Sequence, residues 1–248
     1  MTQRPVLDAR NLRLHFGGVA AADDASLSVA SGQRVAIIGP NGAGKTTFIN
    51  ICTGHLKPQS GSVLFEGREM TGLAPRRIVR NGIARSFQLP QLFLDITVLE
   101  NLLVALAARE GIWNSWMPLE RHGKRDEMLD LLDVIGLTDA AHRLTRELPE
   151  GMRKLVDIAM ALALKPRLIF MDEPTSGVST QEKFTIMDVV IRALEQNATT
   201  AVFVEHDMDV VSRYADSVAV WSGGRISLIG TPAEVLADPD VQRNVVGA

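Results

Sequence analysis

One cysteine, one tyrosine and an aromatic content of 5% are the scarcities of this 248-residue chain. A single cysteine, Cys52, excludes an intramolecular disulfide and suits a reducing compartment. It falls in an apolar helical stretch, where a small thiol packs as a hydrophobe. Long apolar runs are missing too: Leu102–Ala108 and Ile158–Leu164, at seven residues each, are the longest. A membrane-spanning helix needs about 20, so none is expected, and Met1–Pro5 lacks the apolar core of a signal peptide. Neither sign of charge dominates, with 26 Lys and Arg against 29 Asp and Glu, net −3, well interspersed. No basic stripe results, and nucleic acid is not an expected partner. Low-complexity segments and internal repeats are absent as well. What is present is 46% apolar residues, ample for one large domain or one domain with an insertion.

The most informative segment is Gly39-Pro-Asn-Gly-Ala-Gly-Lys-Thr-Thr47, set between the apolar runs Val35–Ile38 and Phe48–Cys52. This is strand, glycine loop, helix, with the pattern GxxxxGK[ST] at the junction. The loop Gly39, Asn41, Gly42, Ala43 and Gly44 lets successive backbone N–H groups turn inward around an anion. The helix beginning near Gly44 directs its positive end to the same point. Lys45 adds a full charge for the β- and γ-phosphates, Thr46 a hydroxyl for Mg²⁺, and Thr47 a hydroxyl toward the α-phosphate. The alternative, a tight turn with a solvated lysine, explains neither the eight-position pattern nor its context. A nucleoside triphosphate is the expected ligand.

Short apolar runs alternate with helical patterns along most of the chain, which predicts a mainly parallel α/β sheet. Candidate strands are 6–12, 34–38, 62–65, 83–87, 168–171, 201–204, 217–221 and 225–228. Those at 35–38, 168–171 and 201–204 are almost wholly apolar, as in strands covered on both faces. The middle differs. Leu99, Leu102, Leu103 and Leu106 fall at helical spacing, as do Met128, Leu131, Leu132 and Ile135, and Leu155, Ile158, Ala159 and Leu162. Residues 91–154 therefore read as a helical subdomain inserted between 1–90 and 155–248 of one domain. Within it, Gly111-Ile-Trp-Asn-Ser-Trp-Met-Pro118 carries two tryptophans, either capping the subdomain or meeting a membrane or partner protein.

Four apolar residues, Leu168–Met171, lead into Asp172-Glu173-Pro174. Acids at the C-terminal end of a buried parallel strand lie where α/β folds build their sites. Asp172 is placed to hold Mg²⁺ and Glu173 to accept a proton from an attacking water. Gln88 follows the strand ending Arg85-Ser-Phe87, where a neutral amide can contact Mg²⁺ or that water; His206 follows Ala201–Glu205, where an imidazole can reach the γ-phosphate.

The order glycine loop, Gln88, Asp172-Glu173, His206 resembles the nucleotide-binding subunit of ABC transporters over essentially the whole chain, and so a P-loop NTPase (RecA-like) core with an N-terminal antiparallel β segment. Leu92-Phe93 and Thr97–Leu102 are similar to the family's segment after its Q-loop. Phe16, 23 residues before Gly39, stands where the family keeps an aromatic that stacks on adenine, though a core role is the alternative. Phe16–Gly18, Ala43–Phe48, Ala84–Gln88, Glu205–Met208, Gly230–Glu234 and Asp238–Val241 resemble the ATPases of branched-chain amino acid importers. The ATPases of lipopolysaccharide export and of urea or amide import are similar too.

Two stretches depart from the family. Its signature LSGGQ, which contacts ATP on a partner subunit, is here Leu148-Pro149-Glu150-Gly151-Met152. Pro149 has neither hydroxyl nor N–H, and Glu150 sets a carboxylate near the place of a γ-phosphate unless it turns away. Arg153 and Lys154 are candidates to compensate. The D-loop reads Ser176-Gly-Val-Ser179, without its acid. The resemblance implies an Mg²⁺-dependent ATPase, peripheral on the cytoplasmic face of the membrane. It would work with transmembrane permease subunits, a second ATPase subunit and, indirectly, an extracytoplasmic solute-binding protein. The altered signature suggests a heterodimer with a chain of fuller signature, with a homodimer as the alternative. A partly degenerate regulator or an exporter ATPase are the competing functions.

Overall fold

The structure, a computed structural model, describes residues 4–111 and 124–246. Both tryptophans of the 111–118 segment lie outside the described residues. Two sheets organise the described residues. The first is antiparallel, in the order β2-β1-β4-β5, from β1 (Leu7–Phe16), β2 (Val19–Val29), β4 (Ser60–Phe65) and β5 (Arg68–Glu69). The second has six strands in the order β10-β9-β3-β8-β7-β6: β3 (Arg34–Ile38), β6 (Ile83–Ser86), β7 (Leu168–Asp172), β8 (Thr200–Val204), β9 (Ser217–Ser222) and β10 (Arg225–Gly230). Its pairs are parallel except at the edge, where β10 runs antiparallel to β9.

Strands buried on both faces send alternate residues into two cores. Ala36, Ile38, Ile169, Met171, Phe203 and Val220 enter one; Val35, Ile37, Leu168, Phe170, Val202 and Trp221 enter the other. The first core takes in the helices α3 (Val98–Glu110), α4 (Arg125–Ile135) and α5 (Glu150–Ala163). The second takes in α1 (Lys45–Cys52), α2 (Pro75–Arg80) through Ile78, and the antiparallel sheet. Cys52 is fully buried there, and burial pushes its thiol pKa up, so the group stays protonated. The α3 helix starts on a capping box, Thr97 accepting from the Glu100 N–H while Glu100 reaches back. The division at 154/155 falls inside α5, a continuous helix with buried Val156, Ile158, Ala159 and Leu162.

β2 departs from expectation. Its Ala20-Ala-Ala-Asp-Asp-Ala25 has no β-branched residue and adjacent acids, a poor strand by propensity. Pairing along β1, from Leu7 with Val29 to Phe16 with Val19, imposes the extended state. The strand expected at 6–12 extends to Phe16 through the same pairing.

Candidate functional site

The glycine loop leaves β3 at Gly39 and enters α1 at Lys45, with Gly44 as N-cap in a left-handed conformation. Two glycines are required by close approach. A Cβ on Gly39 (φ +149) would lie 2.1 Å from the Trp221 carbonyl oxygen, and one on Gly44 (φ +109) 1.9 Å from that of Ala21. The loop is therefore clamped between β9 and β2, and Trp221 Nε1 donates to the Ala43 carbonyl at 2.6 Å. Asn41, Gly42 and Thr46 are exposed, while Ala43, Gly44 and Thr47 are half-buried. Lys45 is buried, its Nζ donating to the carbonyls of Gly39 at 2.6 Å and Pro40 at 2.9 Å. Burial lowers its pKa, against the opposing pull of Glu173 and Asp172.

Asp172 closes β7 and is 2% exposed. Its Oδ2 accepts from Arg85 Nη2 at 3.0 Å, and Arg85 Nη1 donates to Asn50 Oδ1 on α1 at 2.5 Å. Asp172 Oδ1 is buried without a partner among the described residues. Burial raises its pKa and the Arg85 charge opposes the rise. An orphaned buried carboxylate oxygen is costly, and a hard cation answers that need, so the donor set fits Mg²⁺.

Glu173 holds the next position at φ +51, a left-handed backbone that side-chain-bearing residues seldom adopt. Its N–H donates to the Val204 carbonyl at 3.1 Å. Its Oε2 accepts from Gln88 Nε2 at 2.7 Å, and its Oε1 lies 2.9 Å from His206 Nε2. Three residues separated by 118 positions of chain thus meet at one carboxylate, as β6, β7 and β8 end side by side. Phe16 lies apart, at the end of β1 and 50% exposed. The core alternative for Phe16 is thereby corrected: the strand end leaves the ring half-exposed.

The signature stretch is placed differently. Leu148 is buried, Pro149 is the N-cap of α5 with no side-chain cap bond, and Gly151 and Met152 are half-buried. The Glu150 carboxylate turns onto its own chain, with Oε1 2.5 Å from where a Cβ on Gly177 would stand. Of the two basic candidates beside it, Arg153 is half-buried and Lys154 is turned inward. Arg153 Nε donates to the Leu148 carbonyl at 2.8 Å, and Lys154 is buried inside its own subunit. Ser179 is the N-cap of α6 (Thr180–Gln196), in a capping box with Glu182.

Sequence reasoning missed Arg85 as the partner of Asp172, although Ala84–Gln88 was singled out. It also missed Asp157, whose carboxylate accepts from the backbone N–H of Phe87 at 2.8 Å and Gln91 at 3.1 Å, and Glu205, which receives the Thr175 hydroxyl at 2.7 Å. A lone charge in an apolar helix or strand was the only local signal for each.

The sequence profile described as ABC transporter matches residues 22–176. The high-affinity branched-chain amino acid transport ATP-binding protein BraF of Pseudomonas aeruginosa is 33% identical, with 98% of each chain covered. The probable branched-chain amino acid transport ATP-binding protein LivG of Methanocaldococcus jannaschii is 37% identical, over 98% of this chain and 97% of the relative. Among solved structures, the ADP conformation of an ATP-binding cassette of an ABC transporter superposes with a TM-score of 0.89 at 34% identity, covering 99% of this chain and 100% of that one. A nucleotide-free cassette gives 0.84 at 35% identity, covering 96% and 97%. A profile spanning most of the chain, two relatives matched end to end and a shared fold lead to one conclusion: this chain belongs to the ABC transporter family, as an ATP-binding subunit that hydrolyses ATP.

Proposed function

We propose that this chain powers uptake of branched-chain amino acids, or related small polar solutes, through separate membrane subunits. The observation that carries its mechanism is the Glu173 carboxylate held between Gln88 and His206 beside the unpartnered oxygen of Asp172. The solute class rests on the names of the full-length relatives.

The loop Gly39, Asn41, Gly42, Ala43 and Gly44 receives the phosphates, and Lys45 Nζ exchanges the carbonyls of Gly39 and Pro40 for phosphate oxygens. Thr47 binds beside it, and Phe16 stacks on adenine. Thr46, Asp172 and Gln88 would hold Mg²⁺, which neutralises charge on the phosphates when bound. Glu173 orients a water and accepts its proton, and His206 Nε2, which sits against that carboxylate here, turns its N–H to the γ-phosphate when ATP binds. In the Glu173→Gln variant ATP still binds, and turnover drops on the order of 10²–10⁴-fold. Unchanged steady-state hydrolysis in the purified assembly rejects this role.

Permease subunits dock on the segment after Gln88. Leu89, Phe93 and Leu94 are exposed there, at 74%, 54% and 46%. Beside it runs a mostly apolar groove of about 390 Å³ lined by Val79, Phe87, Val104, Ala108, Met160 and Leu164 among others. No helix among the described residues is long and apolar enough to cross a membrane, which fits a peripheral place on the cytoplasmic face. Phe93→Asp should release the chain from its permease with ATP binding intact; Leu92 is half-buried against the core and unsuited to the test. Residues 91–154 serve in this reading as the signature subdomain, presenting Leu148–Met152 to ATP on a second ATPase subunit. Glu150 beside that surface favours a partner of fuller signature over a second copy of this chain. Equal, efficient hydrolysis at both sites of a homodimer would reject the heterodimer. An extracytoplasmic binding protein delivers the solute to the permease.

A further inference from the structure

Lys154 is an ammonium placed where an aliphatic side chain would pack without cost. It lies near the start of α5 and is 3% exposed. Its Nζ donates to three neutral acceptors on three different segments: the Gln88 carbonyl at 3.3 Å, the Glu173 carbonyl at 3.2 Å and the Ser176 hydroxyl at 2.9 Å. An ammonium has three N–H groups, and these contacts use them all. Burial lowers its pKa, with Glu150, Glu205, Glu173 and Asp157 opposing from a longer range. Burying a charge against neutral groups costs stability. Its contacts point to what it does in return.

Glu173 holds a left-handed backbone next to Pro174. Its N–H is fixed by the Val204 carbonyl on β8, and its own carbonyl accepts from both Lys154 at 3.2 Å and the Ser176 N–H at 3.1 Å. Both flanking peptides are thus pinned, which sets the direction of the side chain and brings the carboxylate between Gln88 and His206. The same ammonium holds the backbone of Gln88, so both ends of the Gln88–Glu173 hydrogen bond refer to one point on α5.

We propose that Lys154 is a positioning residue for hydrolysis: it ties Gln88, Glu173 and Ser176 to α5, so that the helix whose N-terminus faces the partner subunit sets where the Glu173 carboxylate stands. This inference rests on Glu173 activating the water. Displacing a reacting group by about 1 Å can cost on the order of 100-fold, so Lys154→Met lowers kcat roughly 10- to 100-fold in the assembled transporter, with the Kd for ATP unchanged. In a Glu173→Gln background the same change has no further effect, because Lys154 acts through that carboxylate. Lys154→Arg keeps a cation and donors and recovers part of the loss.

The measurements are ATPase kinetics and fluorescent-nucleotide binding on the four members of the Lys154/Glu173 cycle. Wild-type kcat in folded Lys154→Met, a rise in Kd proportionate to the lost activity, or an equal loss in both backgrounds overturns the proposal. If Lys154→Met does not fold, Lys154→Arg decides: reduced kcat at unchanged Kd supports the role and wild-type kcat overturns it. Wild-type hydrolysis by Glu173→Gln alone is a different result, which removes the assignment of Glu173 itself.

Discussion

Two helix N-termini in this molecule are built for the same neighbourhood and differ in readiness for an anion. At α1 the N-cap is Gly44, with no side-chain cap and no acid in the first turn. Its backbone donors and positive end are open, and Lys45 stands at the first helical position. At α5 the N-cap is Pro149, also uncapped, but Glu150 opens the first turn and lies over Gly177 of its own chain. A carboxylate there partly satisfies the helix's positive end before any ligand arrives. Helix geometry is common to both, so the side chains of one turn decide which end is ready for phosphate.

The largest expected effect falls on the open end. Lys45→Met removes a charged donor worth about 1.5–3 kcal/mol, a loss of roughly 10- to 100-fold in ATP affinity by calorimetry. Unchanged affinity would mean that loop N–H groups and the helix end suffice, and the two termini would differ less than described. Phe16→Ala removes a stacking partner worth about 0.5–1.5 kcal/mol, or roughly 2- to 10-fold in ATP affinity. The ring is half-exposed, so melting should hardly move; a collapse of melting with normal affinity would make it structural. At the occupied end, Glu150→Gln removes the carboxylate from a helix start where charge is worth about 0.3–1 kcal/mol. ATP-driven association with the partner subunit should tighten roughly 2- to 5-fold by ultracentrifugation. No gain would show that its turn onto Gly177 already neutralises its influence.

The mildest test concerns pH and Asp157, further along the same face of α5 as Lys154. Burial raises the Asp157 pKa to about 6, against the N–H groups of Phe87 and Gln91 and the charges of Lys154 and Arg85. The folded state therefore binds this proton more tightly than the unfolded chain. The contribution is full below the unfolded value of 3.8 and is lost as pH rises through about 6. Urea midpoints at pH 5 and pH 7 should show the wild type losing stability with rising pH, and Asp157→Asn losing less. At pH 5 Glu127, held near 2 by Arg109, remains ionised and does not contribute. Equal slopes in the two proteins would remove Asp157 from the account.

Legibility followed locality. The strands at 34–38, 168–171 and 201–204 were plain because double burial demands continuous apolar runs, and these are also the strands that present the loop, Asp172 and His206. The glycine loop was plain because its function needs a contiguous pattern. β2 was not, since its state comes from pairing with β1 rather than from its own residues. Arg85 and Asp157 were not assigned, and Lys154 was read only as a candidate at the signature, because these residues act on segments 19 to 87 positions away.

By itself the sequence determined the nucleotide chemistry, the α/β alternation and the order of the motifs, since these depend on residue type and short spacing. Tertiary structure alone decided that Gln88, Glu173 and His206 share one carboxylate, that Phe16 stays in solvent, that Glu150 folds back onto Gly177 and that Lys154 points inward. Those outcomes depend on which strand ends lie side by side and which helix turn packs beneath them, and that is settled by the burial of the two cores as a whole.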